Sequence, residues 1–216
     1  MQTTHCSVLV LISGNGSNLQ AIIDESIHSN YKVRRVVSNN PDAYGLTRAS
    51  EAKIPCSVID HHDFSSREEF DSALIKEIDK EQADLIVLAG FMRILTPKFV
   101  NHYAGKVINI HPSLLPAYTG TNTHQRVLDA GEKEHGVSVH FVTEELDGGP
   151  VIAQGKVTID SDDTADSLAL KVHNKEHIIY PKVISWYAGG RVRMEGNQAL
   201  MDHEALPPTG IEIHPA

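Results

Sequence analysis

The sequence predicts an α/β protein, a doubly wound and mostly parallel Rossmann-like sheet with an antiparallel C-terminal extension. Three observations carry this. Apolar strand-like segments alternate with helical ones through residue 110, the first strand is apolar on both faces, and beyond residue 110 two strands follow each other with only a Gly-rich connection.

In chain order, residues 7–13 (Ser-Val-Leu-Val-Leu-Ile-Ser) form a central strand, a glycine loop follows, and residues 19–26 carry apolar residues at helical spacing. Residues 33–38 are a second strand ending at Asn39-Asn40-Pro41, 42–53 a helix, and 56–59 a third strand. Ser66, with Glu69 three residues on, opens an amphipathic helix that places Phe70, Leu74, Ile75 and Ile78 on one face. Residues 84–90 and 106–110 complete the alternating set, and 137–142 and 151–159 are the antiparallel pair. Ser161-Asp-Asp-Thr-Ala opens a long helix to about Ala188, kinked at Pro181 and ended by Gly189-Gly190; the tail beyond Pro207-Pro208 reads as poorly ordered.

The 216 residues carry 28 acidic and 19 basic side chains, a net charge of −9, and 41% are hydrophobic, enough for a core without disulfides or structural metal. No apolar run approaches the roughly 20 residues that cross a bilayer, and scattered basic residues provide no stripe for a nucleic-acid backbone. A cytoplasmic address without membrane or nucleic-acid partners is expected. Cys6 and Cys56, with no Cys-x-x-Cys pair, read as buried packing residues in a reducing compartment.

Three segments carry chemistry. Gly14-Asn15-Gly16-Ser17-Asn18 lies between strand and helix, where backbone amides and the helix dipole attract a phosphate. Leu19 stands where a dinucleotide fingerprint has its third glycine, which favours a single phosphate; a plain turn capped by Ser17 or Asn18 is the alternative. Asn109 and His111 alternate at the end of a strand and so point the same way, an amide donor for an oxyanion beside an imidazole that moves protons. A structural histidine is the competing reading. Residues 143–150 cluster Glu144, Glu145 and Asp147 beside two glycines, either a loop bringing Asp147 to a histidine or hairpin turn chemistry alone. His173 and His177 stand four apart on the long helix with no third ligand, so no metal site is assigned.

Taken in order, Ile12–Asn18, Leu88–Leu95, Asn109–Pro116 and Glu145–Pro150 closely resemble the phosphoribosylglycinamide formyltransferase family, across nearly the whole chain. The resemblance implies transfer of a formyl group from the co-substrate 10-formyltetrahydrofolate to glycinamide ribonucleotide, in de novo purine synthesis and without metal. It implies a catalytic set of Asn109, His111 and Asp147, and substrate contacts from Gly16, Ser17, Asn18 and Glu176. Folate contacts fall on Arg67, Met92, Arg93, Ile94, Leu95, Asn109, Thr143, Glu144, Glu145, Leu146 and Asp147. The chain then reads as one formyltransferase domain, residues 1–110 the nucleotide-binding half, 111–205 the folate-side and C-terminal half, and 206–216 a tail; a homodimer is left open. Residues 117–122 lack the basic residue and Pro-Gly of many relatives, a departure expected to leave the catalytic set untouched. Formyltetrahydrofolate deformylase and methionyl-tRNA formyltransferase share the Asn-x-His-Pro core but usually carry an extra domain, which the length here argues against. A non-catalytic nucleotide-binding module is the remaining alternative.

Overall fold

A computed structural model of the chain describes residues 5–214. The chain clusters in two compact units, Met1–Asn109 and Ile110–Ala216. In the first, β1 (Cys6–Ile12), β2 (Tyr31–Ser38), β3 (Cys56–Val58), β4 (Leu85–Leu88) and β5 (Val107–His111) lie parallel in the order β3, β2, β1, β4, β5. Val8 through Ile12 are fully buried, which is why β1 is apolar on both faces. The helices are α1 (Ser17–Ser26), α2 (Tyr44–Glu51), α3 (Arg67–Asp79) and α4 (Pro97–His102).

Local rules set the ends of these helices. The Ser66 side chain accepts from the Glu69 amide at 3.2 Å, and α3 buries Phe70, Leu74, Ile75 and Ile78 as its spacing predicts. It also buries Asp71, whose carboxylate accepts from the Thr96 amide at 2.6 Å and so fixes the start of α4. That helix was not foreseen, although Thr96 caps it and Pro97 occupies its first turn, both sequence-visible starts.

In the second unit β6 (Glu134–Phe141) and β7 (Val151–Thr158) pair antiparallel, and the hairpin closes through the Phe141 amide and the Pro150 carbonyl at 3.0 Å. Helix α5 (Thr123–Asp129) precedes them. Helix α6 (Ala165–Ala188) starts at a reciprocal cap between Thr164 and Ser167, and stays helical through the expected kink position, with Pro181 buried. A small antiparallel sheet follows, β8 (Val192–Glu195), β9 (Gln198–Met201) and β10 (Glu204–Ala205). Neither α5 nor this sheet was anticipated, because elements this short carry almost no periodicity.

Two expectations are corrected. The tail is not disordered where it is described: β11 (Ile211–Glu212) pairs parallel with Ala153 and Gln154 of β7, while residues 215 and 216 lie outside the described residues. The cysteines are not packing residues, since Cys6 is half-buried and Cys56 exposed. Cys56 opens β3, the outermost strand of its sheet, which buries little. Among the described residues no helix is long and apolar enough to cross a membrane.

Candidate active site

The site begins with a buried ion pair in the second unit. His111 ends β5, and its Nδ1 lies 3.5 Å from Oδ2 of Asp147, with the two side chains 7% and 8% exposed. Its Nε2 lies 2.9 Å from the Tyr118 carbonyl, which can only accept. The Nε2–H therefore donates to that carbonyl, and Nδ1 is the ring atom that faces the carboxylate. Asp147 sits in the 142–149 hairpin loop with φ of 52°, a left-handed conformation that Asp tolerates better than most residues, and its Oδ2 accepts from the Gly120 amide at 2.9 Å. The segment is therefore the hairpin connection and also the element that turns a carboxylate inward. The departure at residues 117–122 does touch the pair of His111 and Asp147, contrary to expectation. It does so through main-chain atoms of Tyr118 and Gly120, so the unusual side chains leave these contacts intact.

A third group was missed from sequence. His140 of β6 places Nε2 3.9 Å from Oδ1 of Asp147, while its Nδ1 donates to the Phe141 carbonyl at 2.9 Å. Burial holds its pKa down to about 4 against the opposing pull of that carbonyl and of Asp147, so it faces the carboxylate as a neutral ring. Asn109 stands two positions before His111 on β5, the same-face spacing read from sequence.

Elsewhere in the second unit Glu176 is buried on α6, and its Oε2 lies 2.9 Å from Nδ1 of His173, whose pKa that bond raises. His124 and His135 touch through Nδ1 and Nε2 at 3.0 Å, so one ring must donate and the other accept. Burial lowers both pKa values, His135 to about 4 with help from the charges of His124 and His111.

In the first unit the glycine loop turns the chain from β1 into α1. Gly16 takes φ of 75° as the N-cap of α1, and a Cβ on it would come within 2.6 Å of the Gly45 Cα. Arg48, not singled out from sequence, donates to the Asn15 carbonyl at 2.9 Å and to its Oδ1 at 3.2 Å while lying over the Tyr44 ring. Asn18 is buried at the start of α1, and Ser17 is half-buried.

The residues 91–96 adopt neither helix nor strand. Met92 and Ile94 are 77% and 56% exposed, so the segment is not held by burial of these side chains. Arg93 lies over the Phe70 ring, 5.5 Å from its centre, and Arg67 is an exposed first-turn residue of α3. Thr143 is half-buried, and Glu144, Glu145 and Leu146 are exposed in the loop before Asp147. Among the described residues the group able to gather three ligand atoms for a metal is Asp60, His61 and His62, within 4.8 Å of one another; His173 and His177 do not form one.

In the first unit a glycine loop follows β1 of a parallel sheet, and in the second a buried histidine faces a carboxylate, a pairing suited to proton movement in group transfer. The chain belongs to the formyl transferase family, whose profile matches residues 6–184. It is 55% identical over 206 residues to phosphoribosylglycinamide formyltransferase of Escherichia coli strain K12, covering 94% of this chain and 97% of that one, and 49% identical with the same coverage to the enzyme of Haemophilus influenzae. A solved phosphoribosylglycinamide formyltransferase from Coxiella burnetii superposes with a TM-score of 0.94 at 53% identity, over 97% of this chain and all of the other. The family resemblance read from four motifs is thus borne out.

Proposed function

We propose that this enzyme transfers the formyl group of 10-formyltetrahydrofolate to the primary amine of glycinamide ribonucleotide. The observation that carries the reading furthest is the buried pair of His111 and Asp147, held from behind by Tyr118 and Gly120. Of the first unit, Gly16, Ser17 and Asn18 serve the substrate phosphate, and Met92, Arg93, Ile94, Leu95 and Arg67 serve the folate. Of the second, Glu176 serves the ribonucleotide and the 143–147 loop the folate.

The amine attacks the formyl carbon, and negative charge gathers on the formyl oxygen. Asn109 offers an amide donor and His111 its imidazole beside that charge, where exclusion of water strengthens such contacts. Asp147 faces Nδ1 and orients the ring. A proton leaves the attacking nitrogen and reaches N10 of the folate, the C–N10 bond breaks, and tetrahydrofolate departs with the formyl group now on the substrate amine. No covalent acyl-enzyme is needed: Cys6 has its thiol pushed up to about 11, mainly by burial, which suppresses the thiolate a nucleophile requires.

The test is tetrahydrofolate release from 10-formyltetrahydrofolate, with and without glycinamide ribonucleotide. Release only when the amine is present supports the transferase. Release without it makes the protein a deformylase and overturns the proposal.

A further inference from the structure

We propose that Ser13 and Asn39 form a latch that fixes the backbone of the 92–95 segment and so act as positioning residues for the folate, an inference that rests on the reading that this segment contacts it. Ser13 follows the last residue of β1, and its hydroxyl does two things. It donates to Oδ1 of Asn39 at 2.5 Å and accepts from the Met92 amide at 2.8 Å.

Asn39 is itself held from several sides. Only 4% exposed, it follows β2, its amide donates to the Ile12 carbonyl, and its carbonyl accepts from the His61 amide and, at 2.9 Å, from Nδ1–H of the same residue. The Ser13 hydroxyl takes the Met92 N–H and donates its own proton to Oδ1, which gives the chain of bonds one direction from Met92 through Ser13 to Asn39. The ends of two central strands and the turn at residues 61–63 thus converge on one amide of an otherwise irregular loop.

That amide needs an anchor. Burial cannot hold the segment, since Met92 and Ile94 face outward. Its polar pins are Ser13 at Met92 and Asp71 at Thr96, 2.6 Å from its carboxylate, with Arg93 resting on Phe70 between them. A loop pinned at both ends presents its apolar side chains already ordered, so a ligand does not bear that ordering entropy on binding. Releasing one pin should weaken folate binding while leaving the bond-making step alone, because neither Ser13 nor Asn39 reaches the reacting atoms in the mechanism above.

The test has two independent readouts. Hydrogen exchange of the Met92 amide is measured without substrates in wild type, Ser13→Ala and Ser13→Thr. The alanine variant should exchange about three- to tenfold faster, the range one hydrogen bond supplies, and threonine, which keeps the hydroxyl, should restore protection. In steady-state kinetics Ser13→Ala should raise KM for 10-formyltetrahydrofolate by a similar factor, with kcat and KM for the ribonucleotide within twofold, and threonine should recover most of the loss. Unchanged exchange in Ser13→Ala, or faster exchange with an unchanged folate KM, overturns the latch. Equal rises in both KM values would show general damage to the β1 end and overturn it too. If wild type turns over no folate, the functional reading falls, and exchange at Met92 alone still decides whether the latch exists.

Discussion

His111 faces the Tyr118 carbonyl and the Asp147 carboxylate, and replacing it removes the imidazole that both hold. His111→Ala should lower kcat by about 10² to 10⁴, the range of a lost proton-transfer group, with the fold intact by circular dichroism; activity within a few-fold of wild type removes it from the catalytic set. Asn109→Ala should lower kcat by about 10² to 10³, the cost of one oxyanion donor, and a change confined to KM would make it a binding residue. Asp147→Asn keeps a side chain suited to φ of 52° and an oxygen for the Gly120 amide, so stability should hardly change. Without the carboxylate the ring loses the group that orients it, so kcat should fall while both KM values stay within a few-fold. An unchanged kcat would make Asp147 a turn residue only.

The glycine loop is an element-scale device, because the tip of α1 and the start of α2 approach to the width of two glycines. A Cβ at Gly16 meets the Gly45 backbone in a left-handed conformation, so Gly16→Val should disturb the cradle's shape as well as its contents. Arg48→Ala is the cleaner probe: it unties Asn15 without entering the loop and should raise KM for the ribonucleotide with kcat and the folate KM nearly constant. Equal rises in both KM values would show that Arg48 merely supports the fold. The sequence made the strand and helix order legible wherever elements were long or buried on both faces, as β1 and α3 are. It left β8 to β10 invisible, since strands of two to four residues carry no pattern. At the site, the strand spacing of Asn109 and His111 and the run to Asp147 were legible as side chains. Tyr118 and Gly120 were not, because they contribute a carbonyl and an amide that every residue possesses. His140 was read only as part of a strand.

At the scale of the whole molecule, buried histidines tie stability to acidity. His135 and His140 have native pKa values near 4, below the unfolded value of about 6.5, and His124 is shifted the same way. The unfolded chain therefore binds protons first as pH falls, so their contribution is complete above about pH 6.5 and is lost progressively toward pH 4. Denaturant midpoints measured between pH 7.5 and 4.5 should fall across that window, and His135→Gln should flatten the slope; a midpoint independent of pH would contradict these burial effects. His173 acts in the opposite sense, since its bond to Glu176 favours the charged form and is lost as pH rises, but its exposed ring limits the effect.

The short β11 has a consequence for behaviour in concentrated solution. By pairing with Ala153 and Gln154 it occupies main-chain groups of β7 that would otherwise be open to another polypeptide, and Lys156 meets Glu212 at 3.2 Å beside the join. Gly210 lies so close to the Ile152 main chain that any side chain there would collide with it. The closing residues thus work as a guard against self-association: with 207–216 removed, β7 becomes a bare template, and light scattering should show concentration-dependent aggregates that the intact chain does not form.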